Sequence, residues 1–384
     1  MGIIAAQSIS LWWRMDKKSK VVIFCESYAS IAYPLYRLAN EGNDVPVTIF
    51  FPSLKDLYFL FQVINKKVFN NNLELIYYPQ FTQKWAGTKG IKKLFHILPD
   101  ILGERRHLKQ FYNRYFARLK DADILFPSPG YNGAKIYLLR RLRKRNRLTY
   151  IDPGPPYMSK YSPQGIRDIA TMIIYKIVYG KDVQLGQFPP EKPWSTGFPL
   201  IPDSFMKNSV DSVIDWADRA EIMKDFAWET FRMFDTGEYK VIYFHQDLVD
   251  RDVPDRDTFS RELKSIFDIV LRYYPEKEIA RKHHPGHELN RDVIEVGEEL
   301  PVYLPAEFLY NEKVQIYLGI SSYAIVNVTG GQAISLINLL SFKTAELREE
   351  CKKILLKASH SEILFPSSLE ELERIIINIS GKAQ

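Results

Sequence analysis

Short apolar runs alternate with longer stretches of helical periodicity along most of this 384-residue chain, and that alternation constrains its fold more than any other feature. In the first half the predicted strands are residues 21–24, 47–51, 73–77, 124–126 and 148–151, and the predicted helices are residues 26–39, 54–66 and 134–145. Strands that alternate with helices form a mostly parallel sheet covered by helices on both faces. The sequence therefore predicts an α/β fold.

A second series of the same kind follows a proline-rich stretch. Residues 187–202 contain five prolines, which breaks the alternation and predicts a connection between two domains. The elements predicted beyond it are helix 211–234, strand 240–244, helix 258–273, strands 279–283 and 314–318, a helix after Gly331, and helix 368–379 with Ser367 or Ser368 as N-cap. We expect two α/β domains, residues 19–190 and 191–384, facing one another across a cleft.

The two halves of the chain carry opposite net charge. Residues 1–200 hold 30 lysines and arginines against 14 aspartates and glutamates, or about +16, whereas residues 201–384 hold 22 against 32, or about −10. The densest basic cluster consists of Arg140, Arg141, Arg143, Lys144, Arg145 and Arg147. It predicts an anionic partner for the first domain, although a solvated helix face has the same pattern. No nucleic acid is expected, because helix-turn-helix, zinc-finger and RNP-type motifs are missing.

Membrane-spanning and disulfide-based folds are not indicated. The longest apolar stretches, residues 334–342 and the lysine-interrupted residues 169–179, fall short of the roughly 20 residues that span a bilayer. Residues 1–18 are apolar and carry two tryptophans before a run of cations, which could form an interfacial membrane anchor or simply a frayed end. Cys25 and Cys351 lack metal or redox spacing. We expect a cytoplasmic protein, at most peripheral on the inner face of the membrane.

Ligands of parallel α/β sheets bind beyond the carboxyl ends of the strands, so the residues just after each strand are the first candidates for function. Asp152 follows a predicted strand and opens a turn rich in proline and glycine. A carboxylate held on such a turn could act as a general base. It could equally cap the turn by accepting backbone N–H groups, and the residues alone leave both readings open.

The second candidate segment is Arg-Lys-His-His-Pro-Gly-His over residues 281–287, again at a strand end. Strand alternation places Lys282 and His284 on one face and His283 on the other. A histidine beside a lysine suits an anionic group such as phosphate, and imidazole transfers a proton near neutral pH. A zinc site is the weaker alternative, because no helical pair of histidines is present.

The third segment follows the predicted strand 314–318 and contains Gly319, Ser321 and Ser322. Hydroxyls and backbone N–H groups converge in such a turn, and a following helix would add its positive dipole end, so the turn suits a phosphate. Serines also cap helices without binding a ligand. Walker A and nucleophile-elbow motifs are both missing, which argues against a P-loop enzyme and a serine hydrolase.

In this order, Asp152-Pro153-Gly154, His284-Pro285 and Ser321-Ser322 resemble the short motifs of the bacterial sialyltransferases, in particular the capsule and lipooligosaccharide families that include the polysialyltransferases. Residues 304–309 resemble the segment that supplies a ribose-binding carboxylate in that family, here Glu307, although a first-turn helix carboxylate looks the same. The chain departs from the family at Pro153, where the family has a second acidic residue. The resemblance implies a GT-B fold of two Rossmann-like domains.

The resemblance also implies a reaction, an inverting transfer of sialic acid or a related nonulosonic acid from a CMP-activated donor to a glycan or glycolipid acceptor in bacterial surface polysaccharide or lipooligosaccharide synthesis. Asp152 would deprotonate the acceptor hydroxyl, and His284 would donate to the departing phosphate. The residues implied to bind the donor are Gly154, Lys282, Pro285, Glu307, Gly319, Ser321 and Ser322. Cofactors and metal ions are not expected, since hydroxyls, imidazole and backbone dipoles can offset the charge of CMP.

Three other functions fit parts of the same pattern. A GT-B transferase could use CMP-Kdo or a nucleoside diphosphate sugar instead. A non-catalytic homologue could bind glycan or act as a scaffold, which the departure at Pro153 permits. A metallohydrolase built on His283, His284 and His287 is the third, and the absence of bound metal on elemental analysis would count against it.

Overall fold

The computed structural model describes residues 20–25, 32–33, 35–36, 45–51, 73–77, 92–126, 133–151, 159–160, 166–179, 184–187, 198–200, 203–214, 238–246, 248, 252–284, 294–302, 304–326, 328–359 and 361–381. The chain divides into two compact units, and the main division falls between Asp215 and Trp216. Each unit is built around its own six-stranded sheet. The α/β prediction is therefore confirmed for both halves of the chain.

The first unit has a parallel sheet in the order β3-β2-β1-β4-β5-β9. Its strands are β1 Val21–Phe24, β2 Val47–Phe51, β3 Leu73–Tyr77, β4 Asp123–Phe126, β5 Arg147–Ile151 and β9 Ser212–Ile214. The described helices are α1 Lys92–Tyr115, α2 Gly133–Leu142, α3 Ile166–Tyr179 and α4 Asp203–Ser209, and a small antiparallel sheet is formed by β6 Ser159–Lys160, β7 Gln184–Gln187 and β8 Phe198–Leu200. Side chains of α1, α2 and α3 bury one face of the six-stranded sheet.

The second unit repeats this plan, with a parallel sheet in the order β12-β11-β10-β13-β14-β15. Its strands are β10 Val241–His245, β11 Ile279–His283, β12 Glu298–Leu300, β13 Ile316–Gly319, β14 Gln332–Ser335 and β15 Ile363–Leu364. Its helices are α5 Arg256–Tyr273, α6 Ala345–Ala358 and α7 Leu369–Ser380. When the strands of each six-stranded sheet are numbered in chain order, both sheets have the strand order 3-2-1-4-5-6 of the Rossmann fold.

Helix ends in the second unit follow from capping residues in the sequence. The Asp255 side chain accepts the N–H of Thr258 at the start of α5. Ser368 accepts the N–H of Glu371 at the start of α7, and Gly381 ends that helix in the left-handed conformation at φ 65°. Each cap satisfies a backbone group that the helix leaves without a partner. The prediction of Ser367 or Ser368 as the N-cap of the last helix is confirmed, with Ser368 in that role.

The predicted helix 211–234 is wrong at its beginning. Ser212–Ile214 forms β9, which pairs with β5 through Thr149, Tyr150 and Ile151. The edge of the first sheet supplies hydrogen-bond partners, and these override the local helical periodicity. The predicted boundary at residue 190 is corrected by the same observation, because β9 belongs to the first sheet and the main division lies after Asp215. The cleft between the domains stays a prediction.

The helix predicted directly after Gly331 is also wrong. Residues Gln332–Ser335 form β14, which lies between β13 and β15. Gly330 has a φ of 91°, and a Cβ on Gly331 would collide with the carbonyl oxygen of Val314, so the glycine pair makes a tight entry into a buried strand. A four-residue buried strand and the first turn of a helix have similar apolar patterns, which explains the error.

Two further expectations concern membranes and disulfides. Among the described residues, no helix is both long enough and apolar enough to cross a bilayer. The lysine-interrupted apolar stretch, residues 169–179, lies in helix α3. Cys25 and Cys351 form no disulfide. The predicted interfacial segment, residues 1–18, lies outside the described part of the chain.

Asp211 joins β9 to the first sheet and provides a test of the corrected boundary. Its Oδ2 accepts the N–H of Leu148 at 2.7 Å, and its Oδ1 lies 3.4 Å from a guanidinium nitrogen of Arg143. Asp211→Ala leaves the Leu148 N–H without its partner, so we expect the free energy of unfolding to fall by about 1–3 kcal/mol in urea denaturation. Arg143→Gln removes only a half-exposed ion pair and should cost less than about 1 kcal/mol. Equal losses in both variants would contradict this role of the Asp211 hydrogen bond.

Candidate functional site

The carboxyl edge of the second sheet is the candidate functional site. Strand β10 is the first strand of this sheet, and the chain adds β11 and β12 on one side before it returns to add β13 on the other. A Rossmann fold binds its ligand where the strand order reverses in this way, beyond the carboxyl ends of the strands. Gln246 follows β10 at this point, His284 follows β11, and residues 320–322 follow β13.

Gln246 connects the two strands at the point of reversal. Its side-chain oxygen accepts the backbone N–H of Ser321 at 2.8 Å and lies 3.4 Å from the Ser321 hydroxyl. The turn after β13 is therefore fixed to the end of β10. Sequence analysis missed Gln246, although its position directly after a predicted strand was a usable signal.

The turn after β13 differs from the predicted helix start. Tyr323–Ile325 is a single 3₁₀ turn, and Ser322 caps it by accepting the N–H of Ala324 at 3.2 Å. A turn of three residues has little dipole, so the expected contribution of a helix N-terminus to phosphate binding is wrong. Ser322 Oγ accepts one hydrogen bond and still has its own hydrogen to donate. The capping role and a role in binding an anion are thus compatible.

Gly319 has a packing role in the same turn. A Cβ at this position would lie 2.9 Å from Ile325 Cγ2 and 3.4 Å from Ser322 Cβ. The absence of a side chain lets the 3₁₀ turn fold closely back onto the end of β13. Ser335, at the end of β14, supports the turn from the other side, because its hydroxyl donates to the carbonyl of Ile320 at 2.6 Å.

Lys282, His283 and His284 lie at the end of β11, where the first two are buried and the third is exposed. Lys282 is 5% exposed, and its ammonium donates to the carbonyls of His283 and Val302, both at 2.8 Å. His283 is buried, and its ring lies 4.9 Å from that of His245. His284 is exposed. One of the two neighbouring histidines is therefore packed and the other faces solvent, and the entry of a histidine into a cleft stays a prediction.

Glu307 lies in a short 3₁₀ helix, Ala306–Leu309, and is close to the turn after β13 through Tyr310. Burial raises the pKa of Tyr310 well above its usual value, and the Glu307 carboxylate and then Tyr317 raise it further. The Tyr310 hydroxyl donates to the carbonyl of Ala324 at 2.7 Å. The segment that carries Glu307 is therefore held against the turn that carries Ser321 and Ser322.

Tyr317 holds the end of the same segment. Its hydroxyl accepts the N–H of Asn311 at 2.8 Å and lies 3.2 Å from the Asn311 carbonyl, and its ring meets that of Tyr310 edge-on at 5.7 Å. Neither tyrosine was predicted as part of a site. In the sequence each tyrosine lies in an apolar stretch and is expected in the core, and only the fold shows where its hydroxyl lies.

Lys282, His284, Glu307, Gly319, Ser321 and Ser322 all belong to segments that meet at this one edge of the second sheet. Asp152, Gly154 and Pro285 lie outside the described residues, although the strand that precedes Asp152 ends at Ile151 as predicted. The contacts above give Lys282, Gly319 and Ser322 structural roles. Ligand binding by any of these residues stays a prediction.

The described residues also form a pocket of about 420 Å³ next to the chain that leaves β14. Its lining includes Glu262 from α5, Ser341 and Thr344, and Arg348 from α6. The Glu262 carboxylate accepts the backbone N–H of Ser341 at 2.9 Å. The pocket contains no predicted site residue. Among the described residues, no group of three histidine, cysteine or carboxylate side chains is placed to hold a metal ion.

No protein-family model matches the chain, and no curated protein sequence matches it. Similar solved structures include TcCGT1 in complex with UDP, with a TM-score of 0.46 and 12% identity over 94% of this chain and 90% of that one. UGT89C1 of Arabidopsis thaliana complexed with UDP has a TM-score of 0.43 and 11% identity over 94% and 90%. UDP-GlcNAc 2-epimerase of Neisseria meningitidis bound to UDP-GlcNAc has a TM-score of 0.40 and 13% identity, over 94% of this chain and 91% of that one. The Rossmann-like assignment of each unit rests on its own strand order.

Tyr310→Phe tests whether the Glu307 segment and the serine turn form one site. The change leaves the Ala324 carbonyl without its buried partner, so we expect a loss of about 1–3 kcal/mol in the free energy of unfolding and weaker binding of CMP in calorimetry. Tyr274→Phe is the matched control, because the Tyr274 hydroxyl makes an equally short bond, 2.7 Å, to Gln315 at the opposite edge of the sheet.

The control should lose similar stability and bind CMP as the unchanged protein does. Equal CMP affinity in both variants would contradict the connection between the two segments.

Proposed function

We propose that the protein is an inverting glycosyltransferase that transfers sialic acid, or a related nonulosonic acid, from a CMP-activated donor to a glycan or glycolipid acceptor. The observation that supports it most is the meeting of three sequence-predicted segments at one edge of the second Rossmann-like sheet. They carry His284, Glu307 and the Ser321-Ser322 pair. This edge is where Rossmann folds hold nucleotides.

The donor phosphate is assigned to the ends of β11 and β13. His284 is exposed at the first, and the Ser322 hydroxyl has a hydrogen to donate at the second. The Ser321 N–H already bonds to Gln246 and the Ser321 hydroxyl donates to the same oxygen, so the Ser322 hydroxyl is the donor that the turn offers. Lys282 adds a buried positive charge below the site, and a charge in a low-dielectric surrounding acts strongly on a nearby anion.

The ribose is assigned to Glu307, whose carboxylate can accept hydrogen bonds from both ribose hydroxyls. Two anchors fix its segment at opposite ends. Val302 accepts from Lys282, and Tyr310 donates to Ala324. A carboxylate held by its backbone in this way loses little conformational entropy on binding.

In the proposed reaction, the acceptor oxygen forms a bond to the anomeric carbon as the bond from that carbon to the CMP phosphate breaks. Asp152 takes the proton of the acceptor hydroxyl, and protonated His284 donates a proton to the departing phosphate. Inversion follows from attack opposite the leaving group. Hydroxyl and imidazole donors replace a metal ion in this scheme, so we expect activity in EDTA.

The first unit is assigned to the acceptor. The proposal draws on the net charge of about +16 over residues 1–200, which suits an anionic glycan or a lipid-linked acceptor. The second half of the chain, at about −10, offers no such attraction. This division agrees with an acceptor domain followed by a nucleotide domain, as the resemblance to the sialyltransferases implies.

Release of CMP from CMP-N-acetylneuraminic acid in EDTA tests the donor and His284 together. Loss of a general acid lowers such rates about 10²- to 10⁴-fold, so we expect His284→Ala to reduce release by that factor while CMP binding stays within about threefold. His107→Ala, a histidine on α1 of the first unit, is the control and should release CMP at the unchanged rate.

A thermal-shift panel of CMP, UDP and GDP identifies the nucleotide when release is not observed. Only the bound nucleotide raises the unfolding midpoint, because ligand that binds the native state stabilises it by mass action. Stabilisation by UDP or GDP alone would replace the CMP-sugar donor with a nucleoside diphosphate sugar. Stabilisation by none of the three would favour the scaffold alternative.

Asp152→Ala separates an enzyme from a non-catalytic homologue. A general base contributes about 10²- to 10⁴-fold to the rate, so we expect transfer to acceptor to fall by that factor with CMP affinity nearly unchanged. The measurement is single-turnover transfer to a sialylated oligosaccharide with bound CMP followed in parallel. Full activity of Asp152→Ala would remove this residue as the base.

A further inference from the structure

We propose that the helix layer of α1, α2 and α3 on the first unit is a docking surface for an anionic lipid bilayer. The inference is independent of the donor assigned above. It starts from α3, the helix formed by the lysine-interrupted apolar stretch. Ile169, Ile173 and Ile177 are 45%, 48% and 75% exposed.

The three isoleucines form one stripe. They are spaced four residues apart, so each lies about 40° around the helix from the one before it. Tyr175 and Val178, on the opposite side of α3, are buried in the core of the unit. Among its described side chains, helix α3 thus has apolar residues on both sides, buried on the inner side and exposed on the outer side. Lys176 lies beside the outer stripe and is half-buried, as a lysine that extends past apolar side chains would be.

The neighbouring helices are basic on their outer side. Helix α3 packs against α1 and α2, and all three cover the same face of the sheet. The exposed cations of α1, α2 and the turns that follow them are Arg105, Arg106, Lys109, Arg114, Arg118, Lys120, Arg141, Lys144 and Arg145. The carboxylates among the described residues 102–121 and 133–147 are Glu104, which is 2% exposed, and Asp121, which is exposed beside Lys120, so the cations far outnumber the acids.

Tyrosines hold some of these cations at the seam between α1 and α2. The guanidinium carbon of Arg141 lies 5.3 Å from the ring centre of Tyr112 and 5.0 Å from that of Tyr137. Arg105 lies 6.0 Å from the same Tyr137 ring. These cation–π contacts fix the direction of long side chains that would otherwise be mobile, so the positive charge stays on the outer side of the layer.

The combination of charge and apolar stripe selects the partner. An anionic glycan would satisfy the cations and leave the isoleucines in water. A lipid surface with anionic headgroups accepts both, because the apolar face of such a helix enters the boundary between headgroups and acyl chains while lysines and arginines contact the phosphates. The observations therefore favour a bilayer over a soluble polyanion.

Co-sedimentation of the full chain with vesicles tests the surface. We expect binding to phosphatidylcholine vesicles that contain 30% phosphatidylglycerol, and at least tenfold weaker binding to phosphatidylcholine alone or in about 0.5 M salt, where exposed charges are screened. The double variant Ile173→Asn with Ile177→Asn, and the double variant Arg106→Glu with Lys109→Glu, should each weaken binding at least tenfold.

Leu356→Asn is the matched control. Leu356 is 53% exposed on α6 of the second unit, so this change removes an equally exposed aliphatic side chain from a helix outside the proposed surface. It should bind vesicles as the unchanged protein does. Circular dichroism and thermal unfolding check that the exposed substitutions leave each variant folded.

Three results would overturn the proposal. Unchanged vesicle binding in the isoleucine variant would assign membrane contact to another part of the chain. Dependence on the cations but not on the isoleucines would identify a soluble polyanion as the partner. A concentration-dependent dimer in sedimentation that the isoleucine variant abolishes would mean that the stripe contacts a second copy of this chain.

Discussion

The parallel pairing of β10 with β11 on one side and β13 on the other organises the second unit. All five residues of β10 are buried, and Val241, Ile242 and Tyr243 are fully so. A strand covered on both faces and hydrogen-bonded on both edges has one stable register, because a shift of one residue would move every side chain to the opposite face, where it no longer fits its close-packed neighbours. That register brings the carboxyl ends of the three strands to one edge, and every candidate residue described in this unit depends on it.

The edge itself is held by polar side chains that bond to the backbone. Gln246 holds the turn after β13, Lys282 holds the segment after β12, and Tyr310 connects these two. Buried polar groups are expensive without partners, so bonds of this kind fix a geometry as well as stabilising it. The edge is therefore ordered by the chain's own contacts. Such order would suit the proposed nucleotide site, because less order would have to be created on binding.

The sequence predicted eight of the twelve described strands of the two parallel sheets and missed β9, β12, β14 and β15. Strand 47–51 was predicted with its observed limits, because a buried and largely apolar run between Pro46 and Pro52 has few alternatives. Ser212–Ile214 was taken as helix, since the pairing with β5 that decides its state is 63 residues distant in sequence. Ser321 and His284 were chosen as candidates because they follow predicted strands, and both do follow observed strands. The sequence could not show that Ser321 bonds to Gln246, or that the Lys282 ammonium is used by two carbonyls, because both depend on contacts between strands.

The central claim is that a nucleotide binds at the carboxyl edge of the second sheet. Hydrogen exchange followed by mass spectrometry, with and without saturating CMP, tests this most directly because amide protection reports where a ligand orders the chain. The account predicts protection of peptides that cover residues 281–287, 301–311 and 319–326, with little change around Arg348. Protection confined to the first unit, or to the pocket lined by Glu262 and Arg348, would contradict it.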